Sequence, residues 1–227
     1  MKTAENYLEG QVLLIDKPYT WTSFQAVSKL KYILRKQFNL PKNFKIGHAG
    51  TLDPLATGLL IICTGKATKS IESFMGLEKE YTGEICLGAT TPCFDLEKPI
   101  DKTFDISNIT EDDILKTAKS FLGESDQVPP IFSAIQIDGK RAYELARSGE
   151  SVELKSRKII ISEFEIVKIE MPKFQFRIKC SKGTYIRSIA RDFGVILNNG
   201  AHLTALRRTK IGEFMVENAT SPENFIY

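Results

Sequence analysis

The segment Gly47–Gly58 (GHAGTLDPLATG) places a histidine and an aspartate in a polar stretch that also contains three glycines and one proline. Glycine and proline together favour a tight loop whose backbone can approach a ligand closely. His48 and Asp53 are therefore candidates for a binding or catalytic site. Each also has an ordinary structural interpretation, because an aspartate before a proline is typical of an Asx turn and a single histidine often belongs to the core or the surface.

The remaining cysteine and histidine residues do not extend this segment into a metal site. Cys63, Cys86, Cys93 and Cys180 contain no Cys-x-x-Cys pair, and the chain has only 2 histidines, so the pattern argues against zinc. Four unpaired cysteines are typical of a reducing compartment. The first residues lack the apolar core of a signal peptide and the apolar run Leu59–Cys63 is far too short to span a bilayer, so we expect a cytoplasmic protein that contacts no membrane.

Positive charge is concentrated in the second half of the chain. Between Lys140 and Lys210 there are sixteen lysines and arginines against seven acidic residues, whereas the formal net charge of the whole chain is only +3. This excess could form a phosphate-binding surface or an ordinary solvated face, and charge alone does not decide between them.

The segments around the Gly47–Gly58 stretch alternate between strand and helix patterns. A short buried strand is predicted at 11–15, and a helix from a cap at Thr22 or Ser23 runs to Phe38. The apolar run Leu59–Cys63 predicts a buried strand directly after a polar loop that continues through Gly58. Further along we predict a short helix at 69–75, a strand at 81–88, a helix from a Thr110 capping box to 122, a loop with an extended tail at 124–140, a short helix at 141–148, strands within 152–180, a helix at 185–197 and a strand at 202–210.

The sequence has 227 residues, of which 42% are hydrophobic and 26% charged, a composition typical of globular proteins. It contains no repeat, low-complexity segment or clear linker. We therefore expect a single α+β domain over residues 1–227, with a mostly antiparallel or mixed central sheet and flanking helices.

Taken whole, the Gly47–Gly58 motif resembles the signature of the TruB-type tRNA pseudouridine-55 synthases, in which the aspartate of G-H-x-G-x-L-D-P-x-A-x-G is catalytic. The resemblance continues in the family's order over nearly the whole chain, which makes it far more specific than one motif. The other matching stretches are DKPYTWTSF (16–24), GKATK (65–69), KEYTGEICLGATT (79–91), QVPPIFSAIQIDGKRAYELARSG (127–149), CSKGTYIRSIARD (180–192) and AHLTALRRTKIG (201–212).

The resemblance implies the pseudouridine synthase catalytic fold and isomerisation of the T-loop uridine at position 55 of tRNA, with no metal or organic cofactor. It implies that Asp53 is the catalytic carboxylate, acting either as a nucleophile or as a base at C2′. Arg187 would pair with Asp53, and Tyr81 would be the active-site tyrosine. The implied contacts with the flipped uridine and its surroundings come from His48, Leu206, Lys17 and Pro18.

The resemblance also implies RNA-binding loops and a tRNA partner that is recognised through the shape of its T arm. An RNA-contacting insertion is expected at about 124–152. No obligate protein partner is implied, and we expect a monomer. The candidates for contacts with RNA phosphates are Lys140, Arg141, Lys182, Arg191, Arg207 and Arg208.

The chain departs from the family pattern at two points. Thr20 occupies a position where the first motif usually has glycine, which bears on the geometry of that turn. The few residues after Phe214 predict that the C-terminal PUA-like RNA-binding domain of many relatives is absent. Two other functions remain open from the sequence: a tRNA-folding chaperone, and a hydrolase of a small ligand with an aspartate nucleophile.

Overall fold

The computed structural model describes residues 3–132, 136–137, 140–141 and 154–225, and five α-helices lie within these ranges. Two short 3₁₀ helices, Gly65–Ser70 and Val216–Asn218, accompany them. The α-helices of the described residues are α1 (Ala4–Glu9), α2 (Ser23–Phe38), α3 (Ile71–Gly76), α4 (Glu111–Ser120) and α5 (Ile186–Ile196).

The strands of the described residues range from two to fourteen residues in length. They are β1 (Val12–Lys17), β2 (Ile46–His48), β3 (Ala56–Thr64), β4 (Lys79–Leu87), β5 (Ala89–Thr90), β6 (Lys102–Thr103), β7 (Gly123–Gln127), β8 (Gln136–Ile137), β9 (Lys140–Arg141), β10 (Arg157–Glu170), β11 (Lys173–Cys180), β12 (Ala201–Ile211) and β13 (Phe214–Met215).

The chain divides into two compact units, the first comprising Met1–Thr82 and Leu206–Tyr227. In this unit β1 pairs antiparallel with β3, and β12 pairs with β3 in parallel. Alternate residues of β3 belong to two apolar clusters, with Leu60 and Ile62 in the cluster that contains α2 and Leu59 in the other. Burial on both faces explains why this strand is an unbroken apolar run.

The second unit comprises Gly83–Ala205. Its strands follow the order β12, β4, β11, β10, β7, and the β10–β11 and β10–β7 pairs are antiparallel. Helix α5 packs on this unit's sheet through aromatic rings, since the ring centroids of Phe193 on α5 and Phe174 on β11 are 4.7 Å apart. Phe121, directly after α4, stacks on Phe193 with ring centroids 5.8 Å apart. The two units confirm the predicted α+β class with a mixed sheet.

Most predicted elements of the described residues are present. The helix predicted after Thr22 is α2, and Thr22 forms a capping box with Gln25. The predicted strand at 59–63 is longer than expected, because β3 begins at Ala56 inside the motif. Gly58 makes this possible: its φ is +102°, and a Cβ there would lie 2.3 Å from the carbonyl oxygen of Arg208 on β12.

The structure differs from the predicted secondary structure at four places. The region predicted as a loop from 124 contains the edge strand β7, whose residues pair with 157–161 of β10 although they are almost entirely polar. Helix α1 was not predicted, because its six residues are too few to show a periodic pattern. Residue 141, predicted to begin a helix, belongs to β9, and the rest of that helix, 142–148, lies outside the described residues. Of the strand predicted from 152, residues 154–156 are not in a strand, and 152–153 lie outside the described residues.

None of the helices in the described part of the chain is long and apolar enough to cross a membrane. The single-domain prediction for residues 1–227, the proposed insertion at 124–152 and the absence of a further domain stay predictions.

Candidate active site

Asp53 lies on a short loop between two antiparallel strands of the first unit. We call residues 49–55, between β2 and β3, the Asp53 loop. The amide of Ala49 donates to the carbonyl of Ile61 at 2.8 Å, which fixes the start of the loop, and the amide of Ala56 donates to the carbonyl of Asp53 at 3.1 Å. Asp53 is half-buried. The catalytic candidate therefore stands on a segment whose two ends are attached to the same strand.

Ser23, the first residue of α2, holds the middle of the Asp53 loop. Its Oγ accepts a hydrogen bond from the amide of Leu52 at 2.8 Å and donates to the carbonyl of Leu52 at 3.1 Å. The side chain can reach the loop because Thr22, not Ser23, caps the helix. Ser23 thus satisfies both main-chain groups of the residue before Asp53.

Lys17, at the end of β1, supports the same loop on its C-terminal side. The side chain is 0% exposed, and its Nζ donates to the carbonyls of Trp21 at 2.6 Å, Pro18 at 3.0 Å and Pro54 at 3.3 Å. An amine committed to three carbonyls does not fit the predicted contact with substrate, so we correct the role of Lys17 to support of the loop. Pro18 is half-buried, and its contact with substrate stays a prediction.

Arg208, on β12, supports the N-terminal side of the loop. The residue is 1% exposed, and its guanidinium donates to the carbonyls of Leu59 at 2.7 Å, Gly50 at 3.0 Å and Thr51 at 3.5 Å. The predicted phosphate contact does not fit this placement, because the side chain is buried and its donors are directed at main-chain carbonyls. We therefore withdraw Arg208 from the candidates for RNA contacts.

Two titratable side chains near the loop have lowered pKa values. Burial lowers the pKa of Lys17 from 10.5 to about 8, while the Asp53 carboxylate raises it and the Arg208 cation lowers it. Burial, together with the charge of Arg208, also lowers the pKa of His48, which favours the neutral imidazole at neutral pH. His48 Nδ1 is buried and has no hydrogen-bond partner among the described residues. A neutral ring in this position can contact an uncharged base.

Tyr81 and Leu206 lie on the neighbouring strands β4 and β12 of the first unit. Tyr81 is 8% exposed and Leu206 is half-buried. A side-chain hydrogen bond connects the two strands next to these residues: Thr209 Oγ1 donates to Oε1 of Glu80 at 2.7 Å. The role of Tyr81 as the active-site tyrosine and that of Leu206 as a pocket-lining residue stay predictions.

Arg187 lies near the start of α5 in the second unit and is 4% exposed, so it is not an ordinary surface cation. Its Nη2 donates to the carbonyl of Phe132 at 2.9 Å and its Nη1 to that of Cys93 at 3.2 Å. Its Nε lies 3.6 Å from Oδ2 of the buried Asp95. The arginine is thus held by its own unit, and its pairing with Asp53 stays a prediction.

A family model described as "TruB family pseudouridylate synthase (N terminal domain)" matches residues 35–186, about two thirds of the chain. The chain belongs to the TruB family. It is 64% identical over 217 residues to a protein of Flavobacterium johnsoniae named tRNA pseudouridine synthase B, which covers 96% of this chain and 95% of that protein. A protein of the same name from Phocaeicola vulgatus is 53% identical over 97% of this chain and 93% of its own length.

Solved structures resemble this TruB-family chain as well. A crystal structure of a Cbf5–Nop10–Gar1 complex contains a chain with a TM-score of 0.69 and 30% identity, which matches 94% of this chain. A structure of an H/ACA RNP bound to a substrate RNA containing 2′-deoxyuridine has a TM-score of 0.66, 27% identity and a match over 96%. This chain spans about half the length of both (53% and 52%).

The other basic candidates of the TruB-family chain differ in their availability for RNA. Lys182 is exposed. Arg207 is partly exposed but forms a bidentate ion pair with Asp16, at 2.7 and 3.0 Å. Arg191 donates to the carbonyl of Val128 and to Asp192. The side chains of Lys140 and Arg141 lie outside the described residues, so among these candidates Lys182 fits the prediction best.

Sequence reasoning missed Ser23 and Asp95. Asp95 is 4% exposed and lies beside Arg187, but an acidic residue shortly after a strand is too common a pattern to single out. Ser23 had a stronger signal, because a serine directly after a threonine cap is free to bond outside its helix. Among the described residues no cluster of three or more histidine, cysteine or acidic side chains could hold a metal ion.

Proposed function

We propose that this protein converts the T-loop uridine at position 55 of tRNA to pseudouridine. The observation that carries the proposal is the placement of Asp53: it occupies the aspartate position of the family motif, is half-buried, and stands on a loop whose main chain is held by buried side chains. The name of the 64% identical relative supports tRNA as the substrate.

The proposed reaction is an isomerisation that consumes no co-reactant. The N1–C1′ bond of the uridine breaks, the base turns, and a C5–C1′ bond forms. The hydrogen at C5 leaves to solvent as a proton, and N1 gains a proton. Because the atoms and electrons balance within the substrate, the enzyme must supply only orientation, charge stabilisation and proton transfer.

Asp53 would act in its ionised form, as a nucleophile or as a base at C2′. Arg187, by resemblance, would pair with this carboxylate and orient it. Tyr81 would assist removal of the C5 proton after the rearrangement. The neutral ring of His48 and the apolar side chain of Leu206 would contact the extruded uracil, since a base stacked in folded RNA must leave the stack before it can react.

The proposed partner is the T arm of tRNA, bound through its shape and its phosphates. Lys182 is the exposed candidate for a phosphate contact, and the half-exposed Arg207 is a second. We further propose that the protein acts as a monomer in the cytoplasm, where its tRNA substrate is found, with no obligate protein partner.

The experiment that tests this function uses transcribed tRNA with tritium at C5 of its uracils. Wild-type protein should release tritium to water, and Asp53→Asn should slow this release roughly a thousandfold, because the reacting carboxylate is lost. Asp112→Asn removes an equally charged but exposed side chain of α4 and serves as the matched control, with release at the wild-type rate.

A tRNA in which the target uridine is replaced by cytidine identifies the site of reaction. Release from this RNA at the wild-type rate would overturn the assignment to position 55. A different result would favour the chaperone function: no release from any tRNA, although wild type and Asp53→Asn both bind tRNA tightly and accelerate its refolding. Absence of salt-sensitive tRNA binding would instead favour the small-ligand hydrolase.

A further inference from the structure

We propose that Arg208 is a positioning residue for catalysis: its buried guanidinium holds the main chain of the Asp53 loop so that the Asp53 carboxylate is fixed in the reactive position. This inference rests on the proposed function, because it assigns Asp53 the reacting carboxylate. It replaces the RNA contact expected from the sequence with a role inside the protein.

The first argument is the hydrogen bonding of the loop itself. Each carbonyl from residue 50 to residue 54 accepts a hydrogen bond, although the segment belongs to no helix or strand. The donors are Arg208 for residues 50 and 51, Ser23 for 52, the amide of residue 56 for 53, and Lys17 for 54. Buried loop carbonyls without such donors would cost free energy, so these side chains determine the path of the loop. Arg208 alone supplies two of the five bonds.

The second argument is the shape of the guanidinium. Nε donates to Leu59 of β3, while Nη1 and Nη2 donate to Thr51 and Gly50 of the loop. Three donors in one rigid plane thus connect a strand to the loop at a fixed distance. The single ammonium of a lysine cannot reproduce this, even though its charge is the same.

The third argument is the anchoring of Arg208 itself. Its main chain pairs with Gly58 of β3 so closely that a Cβ on Gly58 would lie 2.3 Å from its carbonyl oxygen. Side chains of a strand alternate between faces, so Arg208 lies on the same face of β12 as Leu206. The strand that carries the predicted pocket wall therefore also fixes the loop that carries the carboxylate.

The fourth argument is the absence of an ordinary salt bridge. Within the described residues Arg208 forms no ion pair, whereas its neighbour Arg207 pairs with Asp16. A buried guanidinium is costly unless its donors are satisfied, and here main-chain carbonyls satisfy them. An apolar side chain at this position could stabilise the fold equally well, but it could not donate hydrogen bonds to the carbonyls of the loop.

The test compares Arg208→Lys, Arg208→Gln and wild type in single-turnover tritium release from tRNA, with the dissociation constant of tRNA measured separately by filter binding. We expect the rate to fall about 10- to 100-fold in both variants, because misplacement of a reacting group by about 1 Å has effects of this size. The dissociation constant should change less than about twofold, since the side chain is buried away from RNA.

The matched control is Thr64→Val at the last residue of β3, the end of the strand away from the Asp53 loop, where Thr64 Oγ1 donates to the carbonyl of Tyr7 and accepts from the amide of Gln11. It should lower the melting temperature without slowing turnover. If Arg208→Gln does not fold at the assay temperature, the comparison rests on Arg208→Lys, which keeps the charge and most of the volume.

The outcomes separate this inference from the proposed function. Wild-type release that requires Asp53 establishes the function, and a wild-type rate in folded Arg208→Lys or Arg208→Gln then overturns the positioning role. A loss confined to tRNA binding would restore the phosphate contact and also overturn the positioning role. The positioning role would likewise be overturned if Thr64→Val had the same melting temperature as an Arg208 variant and lost as much of the rate. If wild type releases no tritium, the proposed function fails and this inference fails with it.

Discussion

Arg208 in the first unit and Arg187 in the second are both buried, but they are held in different ways. The donors of Arg208 are directed at main-chain carbonyls, and within the described residues it forms no ion pair. Arg187 donates to two carbonyls but also lies 3.6 Å from the carboxylate of Asp95, which is itself 4% exposed. One guanidinium is used to position a loop, and the other is itself positioned by a neighbouring carboxylate.

This difference indicates what each region can tolerate. Support of the Asp53 loop is divided among Ser23, Lys17 and Arg208, so loss of one donor leaves the others in place. The region around Arg187 places a cation and the Asp95 carboxylate in a buried setting, where loss of one charge is costly for the other. We therefore expect substitutions at the pair to lower the unfolding free energy more than substitutions at the loop.

The largest effect is expected for Asp95→Asn. The substitution keeps the shape of the side chain but removes the negative charge that lies 3.6 Å from the buried Arg187 guanidinium, which should lower the unfolding free energy by about 3 kcal/mol. Urea denaturation measures this loss. Asp101→Asn, at an exposed carboxylate of the same unit, is the control and should change the unfolding free energy by less than about 0.5 kcal/mol. Equal effects of the two substitutions would contradict a buried, compensated charge.

Ser23→Ala should have the next largest effect. It leaves the amide and carbonyl of Leu52 without their partner, and we expect a loss of about 2 kcal/mol in unfolding free energy and a slower single-turnover rate. Ser28→Ala, at an exposed position of the same helix, removes a hydroxyl that contacts no loop and should be close to neutral. Retention of full activity by Ser23→Ala would show that the remaining donors position the loop without it.

The contribution of Lys17 to the unfolding free energy should depend on pH. The pKa of this side chain is about 8 in the folded protein and has its ordinary value of 10.5 in the unfolded chain, so above pH 8 the unfolded state binds more protons than the folded state. The contribution of Lys17 to the unfolding free energy is therefore constant below pH 8 and rises between pH 8 and 10.5, by at most about 1.4 kcal/mol per pH unit.

Urea denaturation of wild type and Lys17→Met between pH 7 and 10 measures this contribution, because all other titrating groups are common to both proteins. The difference in unfolding free energy, wild type minus variant, should increase above pH 8. A difference that stays constant over the whole range would show that Lys17 keeps its ordinary pKa in the folded protein.

The sequence was sufficient for the motif, the apolar strands and the capped helices, because those depend on local residue patterns. It predicted Asp53 as a site residue and β3 directly after it. It did not predict which of Arg207 and Arg208 is buried, since the alternation of a strand puts two adjacent arginines on opposite faces without saying which face is inside. Leu206 offered a signal, because it was predicted to line a pocket and Arg208, two residues further along the strand, lies on the same face.

Other differences come from tertiary contacts that leave no local pattern. The polar residues of β7 form a strand only because β10 offers an unpaired edge. The carboxylate of Asp95 becomes a partner of Arg187 only when segments 92 residues apart in sequence meet. Such roles depend on the assembled fold, so periodicity and capping signals cannot reveal them.

The smallest expected effect concerns Thr20, at the turn whose neighbours supply carbonyls to Lys17. Its φ is 69°, so the turn keeps the left-handed geometry that suits glycine although a threonine is present. Relief of the strain of about 1–2 kcal/mol in Thr20→Gly is partly offset by the greater freedom of glycine in the unfolded chain, about 0.5–1 kcal/mol. We expect a net gain of up to about 1.5 kcal/mol in the unfolding free energy, measured by urea denaturation. Thr103→Gly, in the exposed strand β6, should have the opposite sign because it relieves no strain, and two changes of equal sign would contradict a strained turn at Thr20.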